Sequence, residues 1–290
     1  MKYNTKSNGV FKKIYQKFRY GFLNNPSRYV TSPLRVSPNF FVIGAVRSGT
    51  TSLFHYLGQH QCITSSAYDE IGYFDDNFHL GEHWYRSLFP TVFTKNKILK
   101  KHGKFLTYDV TPFYIYNPLV VERIKTYFPN SKIIACLRNP IDRAYSNYMI
   151  ELQDGDTNLS FEERIQPEIE LINNKKIKLD NKAFLVDTYY NNIIARGFYA
   201  EQLKHWYNSF PKEQLLMVSS EELSKNTHNT LNKIFDFLDL QNTEINDISK
   251  KNKREYRAMK KETRDFLIEL YKPHNEKLYD LIGRKFAWDI

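Results

Sequence analysis

From residue 39 onward, short apolar runs alternate with segments of helical period. Phe40–Gly44 is a continuous apolar run closed by glycine, which predicts a strand buried on both faces. Lys104–Asp109, Lys132–Leu137 and Gln214–Val218 read as further strands. Thr51–His60, Pro118–Phe128 and Pro140–Leu152 read as helices between them. In the segment 118–128, Leu119, Val120, Ile124 and Phe128 recur at helical spacing. The helix at 140 opens on proline, whose fixed φ suits the first helical position. Asp187–Phe210 predicts one long helix, and helices near 227–239 and 261–282 close the chain. The polar stretch Gln153–Asn181 predicts a helix and a loop over the surface. Strand–helix alternation of this kind predicts an α/β fold, a central parallel sheet flanked by helices.

Residues 1–38 carry a different pattern and are expected to form a basic N-terminal arm, with residues 39–290 as one domain. Phe11–Leu23 interleaves aromatic and basic residues. Such a segment can lie on an anionic surface as a short amphipathic helix, so peripheral membrane association is one expectation. A solvated leader packed loosely on the domain is the other. Charge sharpens the division. The formal net charge is +10, and nine lysines and arginines precede Asp69, the first acidic residue. The remainder is nearly neutral, so no nucleic-acid partner is expected. At 41% hydrophobic the 290 residues can bury a core, and no apolar run approaches the ~20 residues of a membrane span. Cys62 and Cys136 are too few for a disulfide framework, which favours a reducing, cytoplasmic setting. His79 and His83 have one-turn spacing without an evident third ligand, so no metal is expected.

The chemistry concentrates where the first strand meets the first helix. Gly44-Ala-Val-Arg47-Ser48-Gly49-Thr50-Thr51-Ser52 places two glycines, one cation and four hydroxyls at a helix N-terminus. Free N–H groups and the helix dipole bind anions there, and glycine lets the backbone approach closely. The Gly-x4-Gly spacing fits a nucleotide triphosphatase loop, whose lysine follows the second glycine. Thr50 stands at that place and the cation is Arg47. Asp109, at a strand end, could pass for a magnesium-holding aspartate, but the missing lysine removes the γ-phosphate contact. A second segment, Arg138-Asn-Pro-Ile-Asp-Arg-Ala-Tyr-Ser146, sets an arginine at a strand's carboxyl end and a serine about two turns into the next helix. Arg138 and Ser146 can bracket a further phosphate.

Together these segments resemble the sulfotransferase superfamily, particularly the heparan-sulfate and other carbohydrate sulfotransferases and their bacterial relatives. Leu80–Pro90, Val110–Tyr114, Arg196–Tyr199 and Gly283–Trp288 extend the resemblance. It implies a P-loop-like sulfotransferase fold and a donor, 3′-phosphoadenylyl sulfate (PAPS), which leaves as PAP, with no metal. It implies that Arg47, Ser48, Gly49, Thr50, Thr51 and Ser52 hold the 5′-phosphosulfate, with Arg47 neutralising the leaving oxygen. Arg138 and Ser146 would hold the 3′-phosphate, with Arg196, Tyr256, Arg257 and Lys260 also on the donor. The acidic segment Tyr68–Asp75 matches the family motif in which glutamate is the general base. That position is Glu70, and Asp75 matches an acidic residue that assists with substrate. The bland reading of this segment is a solvated acidic loop.

His102 is the rival base, since small-molecule sulfotransferases use histidine, although Lys100–Lys104 does not match their motif. The chain departs from the heparan-sulfate pattern at Val110 and Arg47, where that pattern has lysine, and at Gly72, where it has histidine. The implied acceptor is a hydroxyl, or an amine, on a saccharide or small polar metabolite. A nucleotide kinase or NTPase, and a non-enzymatic anion-binding module, are the competing readings.

Overall fold

The computed structural model describes residues 26–174, 192–249 and 258–288. Five parallel strands form one sheet: β1 (Phe40–Gly44), β2 (Ile63–Ser65), β3 (Leu106–Val110), β4 (Lys132–Leu137) and β5 (Leu215–Ser219), in the order β2-β3-β1-β4-β5. The helices are α1 (Pro26–Val30), α2 (Thr50–Leu57), α3 (Gly81–Ser87), α4 (Val92–His102), α5 (Pro118–Tyr127) and α6 (Pro140–Gln153). After them come α7 (Phe161–Asn173), α8 (Tyr199–Ser209), α9 (Ser220–Lys225), α10 (Thr227–Phe237) and α11 (Lys261–Ile282).

Strand periodicity divides the core in two. Phe41, Ile43, Ile133, Ala135 and Leu137 face one way and pack with α3, α5 and α8. Phe40, Val42, Ile134 and Cys136 face the other way and pack with Leu53, Tyr56 and Leu57 of α2 and Leu231, Ile234 and Phe235 of α10. Both faces are therefore apolar, which is why β1 and β4 read as unbroken apolar runs. A third cluster joins α6, α7, the segment 193–198 and α11.

β2 is a strand that the apolar pattern does not mark, because Ile63 is its single apolar residue. The long helix expected over Asp187–Phe210 is not formed as such. Residues 187–191 lie outside the described residues, and the α-helix begins only at Tyr199. Before it, the amides of Ile193, Ile194 and Ala195 donate to the Glu168 carboxylate, which turns the chain away from helical bonding. The helix expected within 153–181 is α7, and it is more than a surface element: Phe161, Ile165 and Ile169 are buried.

Residues 26–36 pack against α3. The Ser32 hydroxyl meets His83 Nδ1 at 3.0 Å, Arg86 donates to the Arg35 carbonyl at 2.7 Å, and Arg35 forms an isolated bridge with Thr91. Residues 1–25 lie outside the described residues.

Candidate active site

β1 has β3 on one side and β4 on the other, so the connections leaving β1 and β4 diverge at their carboxyl ends. Divergence opens a crevice at this edge, the usual ligand position in an open parallel sheet. The loop 45–49 enters it from β1 and Arg138 from β4. Ala45 N–H donates to the Cys136 carbonyl at 2.6 Å, and the Cys136 thiol donates to the Ser48 carbonyl at 3.1 Å. The loop is thus tied to β4 by backbone and side chain. Burial pushes the Cys136 thiol far up, so it remains a neutral donor.

Arg47 and Gly49 both have positive φ, 67° and 86°, which coils the loop into α2. Gly49 is the residue immediately before α2, where side chains rarely adopt that conformation. Thr50, Ser48 and Ser52 are buried, and the Ser48 hydroxyl has no hydrogen-bond partner among the described residues. Thr51 is half-buried.

The loop after β1 and the segment Arg138–Ser146 meet. Arg47 Nε donates to Ser146 Oγ at 3.3 Å, and Arg138 Nη1 donates to the Arg47 carbonyl at 3.1 Å. Ser146 lies on α6, whose first turn is capped by the Asn139 side chain. Residues 91 and 99 positions away from Arg47 therefore join it in one cationic, hydroxyl-rich crevice. Arg196 sits in a 3-10 turn at its inner side, over the Phe113 ring at 5.4 Å. It shares a pocket with Val46, Phe113, Tyr116, Arg143 and Gln202.

Arg143 is a site feature that the sequence pattern did not reveal. It is wholly buried on α6 and donates Nη2 to the Ile193 carbonyl, while Nε and Nη1 have no hydrogen-bond partner among the described residues. Its spacing from Arg138 was visible, but nothing in the sequence distinguishes it from an exposed arginine.

On the β3 side, the Glu70 amide donates to the Val110 carbonyl at 2.6 Å, and Glu70 has φ of 53°. Val110 is the register partner of Val42, so Glu70 stands at the carboxyl edge beside the strand that feeds the loop 45–49. Its side chain is exposed. Asp75 is half-buried, and Arg123 clamps the backbone carbonyls of Phe74 and Asp75 at 2.6 and 3.4 Å.

His102 ends α4 and leads into the amino end of β3, the opposite edge of the sheet from Arg47. Lys260 is exposed and pairs with Glu162 at 3.3 Å, helping to tie α11 to α7. Tyr256 and Arg257 lie outside the described residues. Among the described residues no group of three or more histidine, cysteine, aspartate or glutamate side chains is placed to hold a metal, and no helix is long and apolar enough to cross a membrane.

This architecture has a counterpart among known proteins. Residues 37–275 match the family model described as the sulfotransferase domain. The chain belongs to the sulfotransferase family. As a sulfotransferase it is 29% identical to the membrane-associated sulfotransferase kil1 of Dictyostelium discoideum, over 89% of this chain and 68% of that protein. It is 28% identical to mouse heparan sulfate glucosamine 3-O-sulfotransferase 3B1, over 87% of this chain and 65% of that protein. The chain therefore spans about two thirds of the length of these two relatives. A solved sulfotransferase from Alicyclobacillus acidocaldarius superposes with a TM-score of 0.65 at 26% identity, covering 87% of this chain and 98% of that one. The expected P-loop-like sulfotransferase fold with a central parallel sheet is the fold observed.

Proposed function

We propose that this sulfotransferase moves the sulfuryl group of PAPS to a hydroxyl of a saccharide or small polar acceptor, with Glu70 as general base. The observation that carries the reading is the meeting of Arg47, Arg138 and Ser146 at the sheet's switch point, one loop away from Glu70. The donor set suits a bisphosphorylated nucleotide: two guanidiniums, buried hydroxyls and the amides opening α2. When bound, PAPS supplies a sulfuryl group on a phosphate able to leave as PAP.

The chain's own work is electrostatic and positional. Arg47 and Arg138 place fixed positive charge where negative charge spreads, and loss of one such contact typically slows turnover about 10²–10³-fold. Ser48, Thr50, Thr51 and Ser52 add hydroxyls, while the α2 amides orient the anion. The Glu70 backbone bond to Val110 holds the acidic loop beside this charge, so the Glu70 carboxylate can take the acceptor proton. His102 is the weaker base on position alone. The heparan sulfate relative supports a carbohydrate acceptor. The basic stretch before Asp69 supports peripheral contact with an anionic surface, as does the membrane association in the name of the Dictyostelium relative.

The test pairs calorimetric titration of PAP, against ATP–Mg²⁺, with radiolabelled sulfate transfer across saccharides, phenols, polar alcohols and amines. Glu70→Gln is expected to keep PAP affinity and lose about 10²–10⁴-fold in turnover. Unchanged turnover removes Glu70 as the base, and preference for ATP–Mg²⁺ over PAP removes the donor assignment.

A further inference from the structure

Beneath the acidic loop lies a buried carboxylate near the end of β3. Asp109 is wholly buried on β3 and accepts three hydroxyl bonds. Thr111 Oγ1 donates to Oδ1 at 2.8 Å, and Tyr85 Oη and Tyr114 Oη donate to Oδ2 at 2.9 and 3.0 Å. Two of these hydroxyls continue into the loop. Thr111 Oγ1 accepts the Gly72 amide at 3.2 Å, and Tyr114 Oη accepts the Phe74 amide at 3.1 Å. Tyr85 is the exception, since its ring stacks on Tyr73 at 4.3 Å but its hydroxyl bonds no loop amide.

A hydroxyl has one proton, and a carboxylate can only accept. Asp109 therefore takes the Thr111 and Tyr114 protons and leaves their lone pairs aimed at the loop. The amides at 72 and 74 find acceptors because Asp109 sets the direction of both hydroxyls. These two anchors lie between Glu70 and Asp75, and the Glu70 amide supplies a third anchor on Val110. Bonds in such a chain reinforce one another in a dry interior.

We infer that Asp109 is a positioning residue, acting through Thr111 and Tyr114 to hold the loop that carries Glu70 and Asp75 against the carboxyl edge of β3. The inference rests on Glu70 being the base, but its structural half can be read separately. Amide hydrogen exchange at Gly72 and Phe74 and steady-state kinetics are measured for Thr111→Val, Thr111→Ser, Tyr114→Phe and Tyr85→Phe.

Thr111→Val and Tyr114→Phe each delete one loop anchor. They are expected to speed exchange at the released amide and to lower kcat about 10–100-fold, with PAP affinity within about twofold of the parent. Thr111→Ser keeps the hydroxyl and is expected to restore both readouts. Tyr85→Phe deletes a bond to the same carboxylate without touching the loop, and is expected to leave exchange at 72 and 74 and kcat within about twofold. Equal loss of kcat in Tyr85→Phe and Tyr114→Phe, or unaltered exchange at both amides in Thr111→Val and Tyr114→Phe, overturns the inference. If Glu70→Gln leaves turnover unchanged while the exchange pattern appears as expected, the base assignment fails and the loop anchor stands.

Discussion

Glu168 sits on the buried face of α7, 4% exposed, and accepts from three consecutive backbone amides. Oε2 takes Ile193 at 2.9 Å and Ile194 at 3.1 Å, while Oε1 takes Ala195 at 2.6 Å and shares Ile194 at 3.0 Å. Glu168→Gln keeps the shape but turns one oxygen into an NH₂ group, which donates toward an amide that also donates. One charge-assisted bond is lost, worth about 1.5–3 kcal/mol, and one buried N–H is orphaned, costing about 1–3 kcal/mol. Burial pushes the Glu168 carboxyl up despite these amides, so removing the charge also relieves a desolvation cost. The net expected loss is about 2–4 kcal/mol. Equilibrium urea unfolding at pH 7, extrapolated linearly, measures it. Glu170→Gln is the control: Glu170 is exposed two residues on, and its substitution is expected to stay within about 0.5 kcal/mol. Because Ala195 adjoins Arg196, weaker PAP binding should accompany the loss. A Glu168→Gln protein as stable as Glu170→Gln would refute the claim that this carboxylate holds the segment.

Burial raises the Asp109 carboxyl from 3.8 to about 6, against the pull of the Thr111, Tyr85 and Tyr114 hydroxyls and with some repulsion from Asp75. The folded chain therefore binds this proton more tightly than the unfolded chain. Relative to Asp109→Asn, wild-type stability is expected to be highest below about pH 4 and to fall by roughly 3 kcal/mol as the pH rises past 6. Paired urea curves at pH 4, 5, 6 and 7 read this, and a pH-independent difference contradicts it. Gly197 lies where a Cβ would come within 2.7 Å of Tyr271 Cε1 and 2.8 Å of Pro140 Cβ. Tyr271 is wholly buried, so Gly197→Ala is expected to cost about 1–3 kcal/mol and lower the melting temperature by several degrees in calorimetry. An unchanged midpoint argues against that close approach.

Much of the fold is written in local periodicity. β1 and, beyond its first residue Lys132, β4 are continuously apolar because both faces are covered, and that pattern alone announces a parallel sheet. The loop between β1 and α2 was legible because glycine spacing, a cation and hydroxyls fall within nine residues at a strand-to-helix junction. α11 was legible from its period, with Leu267, Tyr271 and Leu278 buried along it. β2 escaped because three residues with one apolar side chain carry no period. The segment before Tyr199 looked helical because its amphipathic pattern is local, whereas the carboxylate that claims its amides lies 25 to 27 positions earlier.

The site divides along the same line. Residue types and spacing in the sequence mark Arg47, Arg138 and Ser146 as candidates, and the family resemblance marks Glu70, each within its own short motif. Only the tertiary structure brings Arg47 onto Ser146, sends His102 to the far edge of the sheet, buries Arg143 and gathers three hydroxyl donors on the buried Asp109. The physical reason is range. Propensity and burial period act over one or two turns, but the partner of a buried charge is chosen by strand order, which no local window contains.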